Sequence, residues 1–139
     1  MQVLAPFSEV LRQEFQRETD RVVPVPLFST RLKKRGLNQS LLLARIFFPQ
    51  AGDTLLADVL IRTRNTPPQT TLDGVARRKN LRAAFAVSNP LAIRGRRIFL
   101  VDDVLTTGTT VTECARALLT AGAREIWVVT VARVADSRE

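Results

Sequence analysis

Val3, Leu4, Phe7, Val10, Leu11 and Phe15 recur at helical spacing among polar neighbours, which predicts an amphipathic helix over about residues 2–19 with one buried face. Residues 22–26 follow as a short strand. Its prolines, Pro24 and Pro26, each remove a ladder donor, so it belongs at a sheet edge or at the entrance to a functional turn. Asn38 is placed to cap a second helix whose apolar positions Leu41, Leu42, Ile46 and Phe47 run up to a stop at Pro49. Residues 55–61 are apolar enough for a strand. Residues 62–71 carry Pro67-Pro68 among Thr, Asn and Gln without periodicity and read as a loop, residues 73–81 as a short basic helix, and residues 85–87 as a strand closed by Asn89-Pro90.

The final third has the clearest pattern. Residues 98–101 form an apolar strand, 102–109 a loop, 110–121 a helix and 126–132 a second apolar strand, which together make a βαβ unit. Neither strand alternates, as expected when helices cover both faces of a parallel sheet, so the fold class is α/β. Thr110-Val111-Thr112-Glu113 has the form of a capping box, and Gly122 suits the left-handed position just past the helix end.

Length and composition narrow the picture. With 139 residues, 45% of them hydrophobic, the chain is expected to form a single domain over 1–139, with an N-terminal helical segment (1–21) and a core (22–135). No apolar run approaches the roughly 20 residues a membrane span needs. The start resembles neither a signal nor a transit peptide, so a cytoplasmic location is expected. One cysteine and no histidine exclude an internal disulfide, a Cys/His zinc set and a histidine base, leaving a hard cation such as Mg²⁺ as the metal to expect. The net charge of +8 favours anionic partners, whereas 6% aromatic residues and no tyrosine supply few surfaces on which nucleic-acid bases could stack.

Those anions have an obvious receptor. Asp102 and Asp103 end an apolar strand, and Leu105, Thr106, Thr107, Gly108, Thr109 and Thr110 lead into a helix. Gly108 lets the backbone approach a ligand, the loop amides and helix N-terminus suit a phosphate, and the carboxylates suit ribose hydroxyls or a sugar-bound Mg²⁺. An ordinary capped turn followed by solvated charge is the plain alternative, but two adjacent acids after four apolar residues are costly unless something uses them. No lysine follows Gly108, which argues against a nucleotide P-loop.

Residues 98–110 resemble the phosphoribosyl pyrophosphate (PRPP) motif of type I phosphoribosyltransferases. Val23-Pro24-Val25-Pro26-Leu27, Arg35-Gly36-Leu37-Asn38-Gln39, Thr66-Pro67-Pro68-Gln69 and Arg78-Lys79-Asn80-Leu81-Arg82 extend the likeness to the ComF family, competence-associated bacterial members of that superfamily, over about residues 22–132. The resemblance implies a three-layer fold with a central, mostly parallel sheet flanked by helices. It also implies catalytic roles for Asp102 and Asp103 and 5-phosphate binding by residues 105–110. Pyrophosphate would be bound by a turn at Leu27 and Phe28, helped by Arg31 and Arg35, and a mobile loop would bring in Arg64, Arg77 and Arg78. Two departures stand out: the four-cysteine zinc ribbon with which ComF proteins often begin is missing, so zinc is not expected, and Phe28-Ser29-Thr30 replaces a turn that often holds histidine.

The implied function is Mg²⁺-assisted transfer of 5-phosphoribosyl from PRPP to a nitrogen acceptor. The rival is a non-catalytic module of the same fold serving DNA uptake or recombination, with single-stranded DNA or competence proteins as partners. Arg31, Lys33, Lys34 and Arg35 form one basic run, and Arg77, Arg78, Lys79 and Arg82 a second. Each fits a solvated face, substrate phosphates or nucleic acid. The N-terminal helix, if left uncovered, offers an apolar stripe for a partner such as a second copy. Cys114 is expected to be buried, Trp127 to sit in a core or interface, and Arg94, Arg96 and Arg97 to lie on the surface around a turn at Gly95.

Overall fold

The computed structural model describes residues 5–26, 38–63, 84–105 and 108–133. Its elements are α1 (Ala5–Glu14), β1 (Asp20–Pro24), α2 (Gln39–Phe47), β2 (Leu60–Arg62), β3 (Phe85–Val87), β4 (Arg97–Leu105), α3 (Thr109–Thr120) and β5 (Glu125–Arg133). β1, β4 and β5 form a parallel sheet in that order, while β2 and β3 pair antiparallel.

Consecutive residues of β4 feed two cores because strand side chains alternate between faces. Ile98 and Leu100 join Val111, Cys114 and Leu118 of α3 and Leu60 and Phe85 of the small sheet. Phe99 and Val101 turn the other way, onto Leu11 of α1, Phe15, Ala44 and Phe47 of α2, and Phe48. All four β4 residues are fully buried, as expected for a strand covered on both faces, and the expected α/β, three-layer arrangement is what the chain adopts. β5 departs from it. As the outermost described strand, it leaves Trp127, Val128 and Val131 exposed by 42–45%.

Several boundaries differ from the sequence reading. The first helix ends at Glu14, short of residue 19. The Asp20 carboxylate accepts the Gln16 amide at 2.7 Å while the Asp20 amide donates to the Gln16 carbonyl at 2.8 Å, closing a turn that replaces further helix. Part of its stripe is packed within the domain: Leu11 and, just past the helix end, Phe15 are buried, with Phe15 packed 5.6 Å from the Phe48 ring and 5.9 Å from Phe99, whereas Val10 is exposed. β1 begins two residues earlier than expected, and its edge is shared, since the Leu56 amide donates to the Val22 carbonyl at 2.8 Å. The strand expected at 55–61 splits: Leu55 bridges to Val22 of the large sheet, and after a turn β2 joins the small one. Ser88 fixes that turn by donating its hydroxyl to the Asp58 carbonyl at 2.9 Å.

The expectation that Arg97 lies on the surface is corrected. Its guanidinium is buried against Asp20, with Nη2 to Oδ2 at 2.6 Å and Nε to Oδ1 at 3.0 Å. It also reaches the Glu14 carboxylate and carbonyl, both at 2.7 Å, and lies 4.9 Å from the ring centres of Phe99 and Trp127. Asp20 is completely buried, so the pair ties the end of α1 to the starts of β1 and β4.

Candidate phosphosugar site

The carboxyl ends of β1 and β4 and the amino ends of α2 and α3 converge at one end of the large sheet. Asn38 caps α2 as expected, its Oδ1 accepting the amides of Ser40 at 3.0 Å and Leu41 at 3.4 Å. Its Nδ2 donates to the Val25 carbonyl at 3.4 Å, tying the helix start to the exit of β1. From the first turn of α2, the Ser40 hydroxyl donates to Asp102 Oδ1 at 3.4 Å. Ser40 is buried, and the sequence reading passed over it because its partner lies 62 positions away.

β4 runs through Asp102 and Asp103 to Leu105, so both acids sit within the strand and not in a loop after it. The cause is β5, whose parallel pairing continues from Asp102 opposite Thr130 to Leu105 opposite Arg133. Thr130 Oγ1 donates to the Asp103 carbonyl at 3.3 Å, and the Asp103 amide donates to Asp102 Oδ1 at 2.9 Å. Thus backbone and side-chain bonds hold the pair in place.

Gly108 is the N-cap of α3 at φ 79°, a left-handed conformation that side chains with a Cβ rarely adopt. The helix therefore starts one residue earlier than expected, and the Thr110–Glu113 capping box does not form. Gly108 offers no side chain to cap the helix, and Glu113 lies 3.6 Å from Arg116 instead. The helix N-terminus therefore keeps its positive potential facing the loop. At the other end the expected role of Gly122 holds: its amide donates to Leu119 and that of Ala123 to Leu118, both at 3.1 Å, in a Schellman closure.

Of the remaining candidates, Thr109 and Thr110 open α3, while Thr106, Thr107, Leu27, Phe28, Arg31, Arg35, Arg64, Arg77 and Arg78 lie outside the described residues. The ends of the 64–83 segment are joined by the β2–β3 pair, where the Thr63 amide donates to the Ala84 carbonyl at 2.6 Å. Arg62, not among the arginines singled out from sequence, ends β2 with its guanidinium 5.6 Å from the Phe85 ring centre. Cys114 is buried as expected. Burial pushes its thiol up, the Asp102 carboxylate pushes the same way, and Arg62 opposes them.

Among the described residues no three His, Cys, Asp or Glu side chains gather as a metal-binding group. Two adjacent carboxylates nevertheless suit Mg²⁺, which keeps waters and takes its remaining oxygens from a phosphorylated substrate more readily than from a protein cage. Burial, and then the neighbouring Asp103 carboxyl, push Asp102 up to about 6. A carboxyl raised above its unfolded value of 3.8 disfavours folding while ionised, so the protein should gain stability as pH falls from about 7 towards 4. Asp102→Asn should raise the melting temperature at pH 7 by roughly 3–6 °C, corresponding to about 1–2 kcal/mol for this half-buried group, and should flatten that pH dependence. Thermal melts of both proteins across this range check it.

The phosphoribosyl transferase domain model matches residues 8–139 of the chain. The chain is 40% identical over 109 residues to the DNA utilization protein YhgH of Escherichia coli O157:H7, covering 78% of this chain and 47% of the relative. It is 37% identical over 135 residues to the Salmonella typhi protein of the same name, covering 91% and 59%. It is 36% identical over 115 residues to Competence protein F of Haemophilus influenzae, covering 82% and 50%. The chain spans about half the length of the curated relatives it matches. Among the described residues no helix is long and apolar enough to cross a membrane.

Proposed function

Since this chain belongs to the phosphoribosyl transferase domain family, as a member of its ComF branch, we propose that it binds PRPP at the carboxyl end of β4 and transfers the 5-phosphoribosyl group to a nitrogen acceptor. The observation carrying this reading is the half-buried Asp102–Asp103 pair next to the left-handed Gly108 and the N-terminus of α3. Phosphate would lie on the amides and hydroxyls of residues 105–110, with Asp102 and Asp103 holding the ribose hydroxyls. Leu27, Phe28, Arg31 and Arg35 would receive pyrophosphate, and Arg64, Arg77 and Arg78 would close over it. Mg²⁺ held by PRPP and the acid pair would neutralise the leaving pyrophosphate.

The C1–oxygen bond to pyrophosphate breaks as the acceptor nitrogen bonds to C1. Positive charge develops on the ribose, as in glycoside cleavage, and the carboxylates beside it favour that charge. Asp103 is the candidate to take the acceptor's proton. The protein's further contribution is alignment, because Ser40, Thr130 and the cap of α3 hold the ends of the site on rigid elements.

The relatives named for DNA utilization and competence favour a second reading, in which the same pocket binds ligand without turnover within a DNA-handling protein. Pyrophosphate release from PRPP and Mg²⁺ across a panel of nitrogenous bases separates the two. The transferase reading expects acceptor-dependent release that falls at least about a hundredfold in Asp103→Asn. PRPP binding with no release under any base would favour the non-catalytic module. DNA affinity that falls steeply with salt and survives substitution of Asp102 and Asp103 would point to the basic runs instead.

A further inference from the structure

Two residues of the small sheet leave their backbone groups unused. In an antiparallel pair, residues that exchange backbone hydrogen bonds alternate with residues that do not. The Thr63 amide donates to the Ala84 carbonyl at 2.6 Å and the Ser88 amide to the Val59 carbonyl at 2.8 Å, so Ala84, Ala86 and Ser88 face β2. The amides and carbonyls of Phe85 and Val87 therefore point away from β2, and among the described residues they have no hydrogen-bond partner. That edge borders a groove of about 440 Å³, lined by all three β3 residues and, on the α3 side, by Glu113, Arg116, Ala117 and Thr120. The volume falls within the roughly 300–1,000 Å³ usual for small-molecule sites. Unpaired backbone groups beside a mostly apolar groove call for a ligand that supplies the missing donor and acceptor.

We propose that this groove binds a purine nucleoside carrying an exocyclic amine, with the base against the β3 edge and the ribose against Glu113. The Phe85 carbonyl and the Val87 amide, two residues apart on one edge, present an acceptor and a donor side by side. An exocyclic N–H and the ring nitrogen next to it present the complementary pair. A three-residue edge offers a partner strand little to pair with, whereas one donor and one acceptor are enough to orient a planar base. Ala117, Val87 and Ala121, all partly buried, give the base apolar walls. The charged end of the groove suits a sugar. The Glu113 side chain is only 11% exposed, and its pairing with Arg116 is long, 3.6 Å, and made to a largely exposed guanidinium. Such a pairing is weak, so the carboxylate keeps the capacity to accept ribose hydroxyls in charge-assisted hydrogen bonds. The groove runs from the second turn of α3 towards its C-terminal end, away from Gly108, and the proposal does not rest on the PRPP reading.

Equilibrium dialysis of adenosine against the wild-type chain, Thr120→Phe, Glu113→Gln and Asp102→Asn/Asp103→Asn tests the proposal. The wild type should take up one adenosine with a dissociation constant of about 10–100 μM. N6,N6-dimethyladenosine, which lacks the exocyclic N–H, should bind at least about tenfold more weakly because the Phe85 carbonyl is left without a donor. Thr120 is exposed, so a phenylalanine there should fill the groove without disturbing the core and weaken adenosine at least about tenfold. Glu113→Gln should weaken adenosine but not the free base adenine. Asp102→Asn/Asp103→Asn should bind adenosine as the wild type does. No saturable uptake of adenosine at millimolar concentration would overturn the proposal, as would uptake indifferent to both dimethylation and Thr120→Phe. Uptake lost in the double aspartate variant would overturn it too, by moving adenosine to the phosphosugar site. A variant that misfolds is recognised by its melting curve, and the dimethylated ligand then still reads the β3 edge in the wild-type chain.

Discussion

Arg97→Met should lower the melting temperature by roughly 10–15 °C, the loss expected from about 3–5 kcal/mol when one partner of a buried ion pair is removed. The magnitude follows from what remains. Asp20 has no exposed surface, and without the guanidinium its carboxylate would keep only the Gln16 amide at 2.7 Å and the Thr19 hydroxyl at 3.2 Å. Burial pushes Asp20 up, but Arg97 and the Gln16 amide more than offset it, so the group titrates below its ordinary 3.8. A lowered carboxyl contributes stability that is present above 3.8 and lost as pH falls through the folded value. Asp20 therefore contributes to the acid limb of stability, whereas Asp102 acts in the opposite sense at higher pH. Methionine keeps much of the packing against Phe99 and Trp127, so the loss in Arg97→Met reports mainly on charge. Adding Asp20→Asn should recover a large part of it, since asparagine can still accept the Gln16 amide without burying a charge. Thermal melts of the single and double variants check both statements.

Asp102→Asn/Asp103→Asn should fold at least as well as the wild type and bind PRPP at least about a hundredfold more weakly. Folding is spared because the strand bonds of β4 are backbone bonds to β1 and β5, and the one burdened carboxyl, Asp102, is relieved by neutralisation. Binding is lost because amides cannot replace carboxylates as partners for ribose hydroxyls and a divalent cation at once. A site kept at a cost in stability is what a ligand-binding role requires. Melting temperature and PRPP affinity should therefore move in opposite directions, a result that generalised damage to the fold would not produce.

The pattern that pointed to the candidate site was local and strong. A four-residue apolar run, two acids and a Thr/Gly turn occur within thirteen positions, and Asn38 and Gly122 were legible as helix boundaries because capping chemistry acts over a few residues. Interactions between distant residues were not legible. Arg97 and Asp20 lie 77 positions apart and Ser40 and Asp102 62 apart, so nothing in either local window distinguishes a buried arginine from a surface one. The same limit explains why β4 outran its apolar core. Asp102 and Asp103 look like a loop until β5 is placed beside them and continues the ladder to Leu105. The capping box failed for a related reason: Thr110 has the right chemistry, but Gly108 had already started the helix. The segments around Arg31, Arg64 and Arg77, whose roles rest on resemblance to ComF proteins, fall outside the described residues.

Calorimetric titration of PRPP with Mg²⁺ into the folded wild-type chain tests the phosphosugar site most directly. Saturable binding in the micromolar range, one PRPP per chain, is the predicted result. A folded wild-type chain that takes up no PRPP would contradict the site assignment.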